Sequence, residues 1–468
     1  MSQTGRAAPA DDAAEEFIRA ARRILLTFRP RHPAQFVASA FALAVLGATG
    51  LLMLPAAAAG GVQTTFLQAL FTATSAVCVT GLTVVDTSTH WSVFGQVVIL
   101  IGVSLGGFGI MAAASLLGLL VSRRLGLRTK LATAAETKAL GLGEVGWVLR
   151  RVAQTTLTIE MLTAVILALR LWLSYGESPG RAAYLGVFHA ISAFNNAGFA
   201  LYSDSLMRFV GDPVISLSVV AAMLLGALGF PVLLELRREL RTPATWSLHT
   251  NLTLAGTAVL VVLGTAAVTA FEWTNPRTLG PLDLPGKLLA GFFAGTMPRS
   301  GGFHTVDYSA MNEETWLVSD ALMFIGGGSA GTAGGIKVTT FFLLLFAILA
   351  EVRGDPDINV FRRRVSTATV RQALSVALLG VAVVLGSTLF LLGVSGLDLD
   401  RVLFEVISAA ATVGLSTGVT ASLPPAGQGL LIFLMYLGRT STITLASALA
   451  LRQSRRLYRL PEERPTIG

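Results

Sequence analysis

Long apolar runs, separated by short clusters of arginine and lysine, recur along the whole chain. A hydrocarbon core of about 30 Å takes about 20 apolar helical residues to cross. Runs of that length predict eight spanning helices, near 35–58, 92–120, 152–176, 213–235, 250–271, 314–349, 372–394 and 428–451. Taken in consecutive pairs, the spans enclose shorter apolar segments near 65–77, 183–194, 285–297 and 402–411. These are too short to cross and predict re-entrant segments or buried half-helices.

Composition supports this pattern. Of 468 residues, 53% are hydrophobic and 13% charged, with 48 glycines, and mean hydropathy is +0.68. A soluble chain carries roughly 25% charged residues, so an ordinary soluble enzyme is excluded in favour of a polytopic membrane protein. With Cys78 as its single cysteine, the chain has no internal disulfide framework and no cysteine-cluster metal site. The five histidines are scattered without ligand spacing, and the spans contain no nucleophile–base pair, HExxH or carboxylate cluster.

Net charge is +8, and its placement gives orientation. Basic residues crowd the N-terminal tail, 121–151, 236–249, 350–371 and the C-terminal tail. An even number of spans puts all five on one side, which the positive-inside rule makes cytoplasmic. This topology accounts for the basic residues without a nucleic-acid partner. Asp11, Asp12, Glu15 and Glu16, and the lack of a cleavage pattern, argue against a secretory signal in the first 35 residues.

The short segments share one pattern: Phe, three residues, Ser or Thr, five residues, Gly, then Leu or Phe. The copies are FTATSAVCVTGL at 71–82, FHAISAFNNAGF at 188–199, Phe292 to Phe303, and FEVISAAATVGL at 404–415. The aligned glycines are Gly81, Gly198, Gly302 and Gly414. About 25 residues after each comes another small-residue cluster: Gly106-Gly107, Gly226, Gly326-Gly327-Gly328 and Gly438. The unit is therefore helix, re-entrant helix, extended segment with glycine, helix, repeated four times. Four copies can surround a pseudo-fourfold axis and line it with backbone carbonyls. Non-helical backbone at membrane depth survives where it is buried or lines a watery cavity, and carbonyl rings replace the hydration shell of an alkali cation. Glycines that merely permit close helix packing are the other reading.

The sixth span contains IGGGSAGTAGGIK, residues 325–337. Glycine costs up to about 1 kcal/mol per helical residue relative to alanine, so this stretch should open into a loop inside the membrane. It is not a P-loop, since Ile336 separates Gly335 from Lys337 and no strand precedes it. Gly141 to Gly146 spells GxGxxG but leaves no room for a βαβ unit. Arg439 lies mid-span, too deep to snorkel, and must face the interior or a watery path. It is either a pore-facing gate residue or half of a structural ion pair. Glu160, also mid-span, predicts a packing hydrogen bond or a partner arginine.

In these motifs the chain resembles the membrane subunit of the Ktr/Trk/HKT superfamily of potassium transporters, specifically the eight-helix KtrB-like branch, over roughly 35–451. The resemblance implies an all-α integral membrane fold of four helix–pore-loop–helix repeats. It implies a selectivity filter at Cys78, Val79, Thr80 and Gly81; Asn195, Asn196, Ala197 and Gly198; Ser300, Gly301 and Gly302; and Thr412, Val413 and Gly414. Sodium-selective plant relatives replace the first glycine by serine, so Gly81 argues for potassium. Cys78 also reads as a small residue packed behind the filter. The resemblance further implies a gate at Gly326, Gly327, Gly328, Ser329, Ala330, Gly331, Thr332, Ala333, Gly334, Gly335 and Lys337, contacted by Arg439. It implies potassium as substrate, bound by filter carbonyls, with no cofactor in this chain. It implies a homodimer in the cytoplasmic membrane, both termini cytoplasmic, on a KtrA/TrkA-like ring of cytosolic nucleotide-binding subunits. Sodium dependence stays open, as does the alternative of a secondary carrier for a small organic anion, whose broken helices would aim N-termini at a carboxylate.

The expected layout is a tail, 1–34; repeat one, 35–120; a linker, 121–151; repeat two, 152–235; a linker, 236–249; repeat three, 250–349, containing the loop 325–337; a linker, 350–371; repeat four, 372–451; and a tail, 452–468.

Overall fold

A computed structural model describes residues 33–124 and 142–451. The tails 1–32 and 452–468, and most of the linker 121–151, lie outside the described residues.

The chain is helical. In order come α1 (Pro33–Leu52), α2 (Phe66–Val77), α3 (Val93–Arg124), α4 (Leu142–Tyr175), α5 (Pro179–Phe194), α6 (Pro213–Leu228) and α7 (Phe230–Glu239). There follow α8 (Leu248–Glu272), α9 (Leu284–Thr296), α10 (Glu313–Phe324), α11 (Val338–Arg353), α12 (Thr367–Ser395), α13 (Leu399–Ala410) and α14 (Pro425–Leu451). The strands β1 (Asn359–Val360) and β2 (Arg363–Arg364) form a hairpin between α11 and α12. Among the described residues, α4, α8, α12 and most of α3 are long and apolar enough to cross a bilayer, and the pair α6–α7 makes a fifth candidate.

That pair differs from the continuous span expected at 213–235. It bends by 100° at Gly229, whose φ of +91° and ψ of 148° are open to glycine alone. Pro231 lies just beyond the break and lacks the N–H that a continuous helix would use. The sixth span is also interrupted: α10 stops at Phe324 and α11 starts at Val338.

The short helices start with side-chain caps in three cases. Thr65 and Gln68 form a capping box on α2, Ser178 caps α5, and Asp283 caps α9. Each satisfies an amide that the first helical turn leaves without an intrahelical acceptor. Each of the four short helices buries a phenylalanine, Phe71, Phe188, Phe293 and Phe404. In the third copy the buried ring is Phe293, not Phe292 of the shared pattern. The core is apolar, but it also holds many polar groups, and the surface is apolar too. Serines, threonines, Glu160, Glu272, Arg299, Glu405 and Arg439 are buried, while Leu162, Leu173, Val262, Leu317 and Leu389 are exposed. An apolar exterior of this extent is what a lipid environment requires.

The segments 236–249 and 350–371 share one end of the molecule. Arg363 donates to the Trp246 carbonyl at 3.4 Å, and Leu252, Val360 and Val365 form a small apolar cluster beside Leu248. The arginines Arg237, Arg238, Arg241, Arg353, Arg362 and Arg371 are exposed.

Candidate functional site: four glycine segments above a glycine-rich loop

After each short helix the chain leaves helical geometry in the same way. Val79, Asn196, Ser300 and Thr412 adopt left-handed φ of 55°, 60°, 73° and 48°. Two residues later Gly81, Gly198, Gly302 and Gly414 do so again, at 95°, 71°, 72° and 92°, with Thr80, Ala197, Gly301 and Val413 outside that region between them. Alternating handedness turns successive peptide groups toward one flank of an extended segment, which a strand does not do. A left-handed residue with a side chain costs roughly 1–2 kcal/mol, so other bonds must hold it. They are Thr80 N–H to the Ser75 carbonyl, Ala197 N–H to that of Ser192, Val413 N–H to that of Ser408, and Gly301 N–H to that of Met297, each 2.8 Å. Hydroxyls add to these. Ser75 accepts from Gly81 N–H at 3.0 Å, Ser192 donates to the Phe199 carbonyl at 2.8 Å, and Ser408 donates to that of Leu415 at 2.6 Å.

The four segments touch in a closed cycle. A methyl group added to Gly81 would collide with the Ala197 carbonyl oxygen, one on Gly198 with Gly302, one on Gly302 with the Val413 carbonyl, and one on Gly414 with that of Thr80. First meets second, second meets third, third meets fourth, and fourth meets first.

The small-residue clusters downstream pack against these segments. Gly106, Gly226 and Gly438 lie against the carbonyls of Val77, Phe194 and Ala410, the last residues of α2, α5 and α13. Close packing is therefore the work of these three. Cys78 and Asn195 close α2 and α5 as C-cap residues. The Cys78 side chain is buried in an apolar cluster with Phe71, Leu82 and Val413. Asn195 turns its amide to Glu160, 2.8 Å away, so the partner of Glu160 is an asparagine and not an arginine.

Residues 325–337 fold into a loop packed against the first residues of the segments. Its neck is pinned by Gly326 N–H to the Ile336 carbonyl at 2.9 Å and Ile336 N–H to that of Phe324 at 3.0 Å. Its body fills the break in the fourth span. Gly328 N–H donates to the Ala227 carbonyl at 2.8 Å, Thr332 N–H to that of Gly226 at 3.1 Å, and Phe230 N–H to that of Ala330 at 3.3 Å. The backbone groups freed at Gly229 thus find partners in the loop, which buried polar backbone requires.

Three cationic side chains hold loop carbonyls. Arg299 donates to Gly326 at 3.1 Å, Lys337 to Ala333 at 2.7 Å, and Arg439 to Thr332. Arg439 also reaches the Gly106 carbonyl at 3.4 Å. Side chains link the loop to the segments as well. Thr332 donates to the Asn196 amide oxygen at 2.6 Å, and Gly334 N–H donates to the Ser300 hydroxyl at 3.1 Å.

The sequence motif contained Arg299 without assigning it a task. At 1% exposure, its proximity to Gly326 could not be read from the sequence because 27 residues separate them. The break at Gly229 does leave a signal, Gly229-Phe230-Pro231, which the surrounding apolar run masks.

A helical protein with polar backbone gathered at the centre of an apolar exterior belongs to the class of membrane transport proteins. The family model for TrkH, "Cation transport protein", matches residues 20–457, and the chain belongs to this family; it is a transporter family, not one of enzymes. The chain is 38% identical over 418 residues to Ktr system potassium uptake protein B of Bacillus subtilis, covering 89% of this chain and 93% of that one. It is 36% identical to the protein of the same name from Vibrio alginolyticus, covering 89% and 91%. It is 33% identical to potassium/sodium uptake protein NtpJ of Enterococcus hirae, covering 93% and 97%. Among solved structures, the potassium transporter TrkH from Vibrio parahaemolyticus superposes with a TM-score of 0.69 at 18% identity, covering 89% of this chain and 84% of that chain. That likeness concerns the fold.

Proposed function

We propose that the chain is a potassium uptake pore of the cytoplasmic membrane. Eight spans form four repeats around a pseudo-fourfold axis, with both termini cytoplasmic. The filter is the backbone of Val79–Gly81, Asn196–Gly198, Ser300–Gly302 and Thr412–Gly414, and the loop 325–337 is its gate. The observation that carries the reading is polarity. All four short helices meet the glycine segments at their C-terminal ends, with Cys78, Asn195, Met297 and Ala411 as the capping residues. A helix C-terminus carries about half a negative charge. Four of them attract a cation and repel the carboxylate that an organic-anion carrier would bind through helix N-termini.

The relatives named for potassium uptake support the choice of cation, and Gly81 agrees with it. A homodimer seated on a cytosolic nucleotide-binding ring completes the proposal, with the exposed basic segments 236–249 and 350–371 as docking surfaces. The test is flux into proteoliposomes of the full chain, using rubidium as tracer with potassium, sodium and a panel of organic anions as competitors. Uptake competed by potassium well ahead of sodium supports the reading. Uptake of an organic anion without rubidium flux overturns it.

A further inference from the structure

The loop and the third and fourth glycine segments meet at one hydroxyl group. Ser300 is 1% exposed and sits in the left-handed conformation, φ +73°, that opens the third segment. Its oxygen accepts from the Gly334 N–H of the loop at 3.1 Å. Its hydrogen is donated to the carbonyl of Thr412, the first left-handed residue of the fourth segment, at 2.9 Å. Gly334 packs so closely on Ala411 and Thr412 that an added methyl would collide with the Ala411 carbonyl and the Thr412 hydroxyl. The buried Thr412 hydroxyl itself has no hydrogen-bond partner among the described residues.

We propose that Ser300 is a positioning residue that couples the loop to the filter, so that the gate's position changes ion discrimination as well as throughput. The inference rests on the pore reading above. A hydroxyl that accepts one hydrogen bond is polarised and donates the next more strongly. With the loop in place, the Gly334 N–H strengthens the hold of Ser300 on the Thr412 carbonyl and keeps that oxygen partly engaged. When the loop withdraws, the donor leaves with it and the carbonyl is freer to turn toward an ion. Selectivity by carbonyls depends on how many oxygens face the ion and how strongly they are held. The inner edge of the filter should therefore differ between closed and open loop. Thr332 and Asn196 form a parallel link to the second segment, which places two of the four segments in direct contact with the loop.

The experiment is a double-mutant cycle on the full chain in proteoliposomes, reading the potassium-over-sodium ratio in competition with rubidium flux, per folded protein. The arms are the parent, Ser300→Ala, deletion of 328–334, and the two combined. The deletion removes no residue of the glycine segments, but it takes away the Gly334 donor and the Thr332–Asn196 link. It weakens the Ser300–Thr412 bond without breaking it and should still shift the ratio measurably. Ser300→Ala breaks that bond, a net loss of about 1 kcal/mol, and should shift the ratio about fivefold in the same direction; the combination should fall short of the product of the two shifts. If Ser300→Ala does not fold, Ser300→Cys keeps the volume with a much weaker donor and acceptor and takes its place. A deletion that leaves the ratio at the parent value, or two shifts that multiply, overturns the coupling while leaving the pore intact. A parent that discriminates no cations overturns the pore reading itself, and the coupling with it.

Discussion

Replacing Arg439 by alanine probes the gate where its hold on the loop is best defined. The guanidinium is 1% exposed and donates to the Thr332 carbonyl at the middle of the loop. Its second bond, to the Gly106 carbonyl at 3.4 Å, is near the limit of useful geometry and adds little. A hydrogen bond from a charged donor contributes about 1.5–3 kcal/mol net. If that bond exists only with the loop closed, its loss raises the open-to-closed ratio by about 10- to 150-fold. Rubidium flux per folded protein should rise accordingly until the open state dominates. Arg439→Lys keeps the charge but loses the planar fork. A rise in both variants makes the tether the cause, and a rise in alanine alone makes charge repulsion the cause. The competing account makes Arg439 half of a structural ion pair, whose truncation typically costs about 3–5 kcal/mol of stability. Flux in proteoliposomes read beside a melting curve separates the two. A destabilised Arg439→Ala protein with unaltered flux per folded protein would refute the gate role.

Three further outcomes follow from the same geometry. Gly81→Ser places a side chain on the Ala197 carbonyl at φ +95°, so potassium-over-sodium discrimination in competition uptake should fall severalfold with the protein still in the membrane; an unchanged ratio removes Gly81 from the filter. Deleting 328–334 should raise flux and lessen its dependence on the proposed regulatory subunit, because the removed residues bear the contacts to Gly226, Ala227 and Asn196; loss of flux in a folded protein would contradict a barrier role. Gly229→Ala puts a methyl into the Ser329 carbonyl in a glycine-only conformation, at a cost of about 1–3 kcal/mol; thermal melting should show the loss and flux should show a loosened loop, whereas wild-type melting and flux would mean that the loop does not lean on this break.

The sequence disclosed most where composition and geometry share a cause. Twenty apolar residues are a span because of bilayer thickness, and the short helices end where expected because the Phe, Ser/Thr and Gly pattern fixes a helix, a turn and a left-handed exit. The glycine-rich interruption of the sixth span was legible for the same reason, since propensity alone disfavours helix there. The break in the fourth span was not, because one glycine and one proline inside a strongly apolar stretch barely change its hydropathy. Nor did the sequence separate Cys78 and Asn195, which cap helices, from their neighbours in the glycine segments. The partners of Ser300, Arg299 and Thr332 lie between 27 and 138 residues away in sequence, and no local pattern encodes such pairs.

The placement of charge bears on how a pore of this kind can release what it attracts. The buried carboxylates Glu272 and Glu405 are consumed by donors: Glu272 accepts from Asn275, Thr278, Thr315 and the Asn312 amide, and Glu405 from Ser416, Thr420 and the Thr417 amide. In the proposed filter the peptide carbonyls and the four helix C-termini, together about two negative charges spread over many atoms, supply the attraction at close range. Spread charge can replace a hydration shell without trapping the ion, the balance that conduction demands. The basic side chains Arg299, Lys337 and Arg439 stand on the loop side, each bonded to a loop carbonyl. A loop carbonyl engaged by such a donor is not offering itself to potassium, so in the proposed gate the closed loop is a barrier by its occupied carbonyls as well as by volume. Opening the proposed gate must carry the Gly326 and Thr332 carbonyls away from Arg299 and Arg439, whereas Lys337 and Ala333 both belong to the loop, so the two arginine bonds set how much work opening takes.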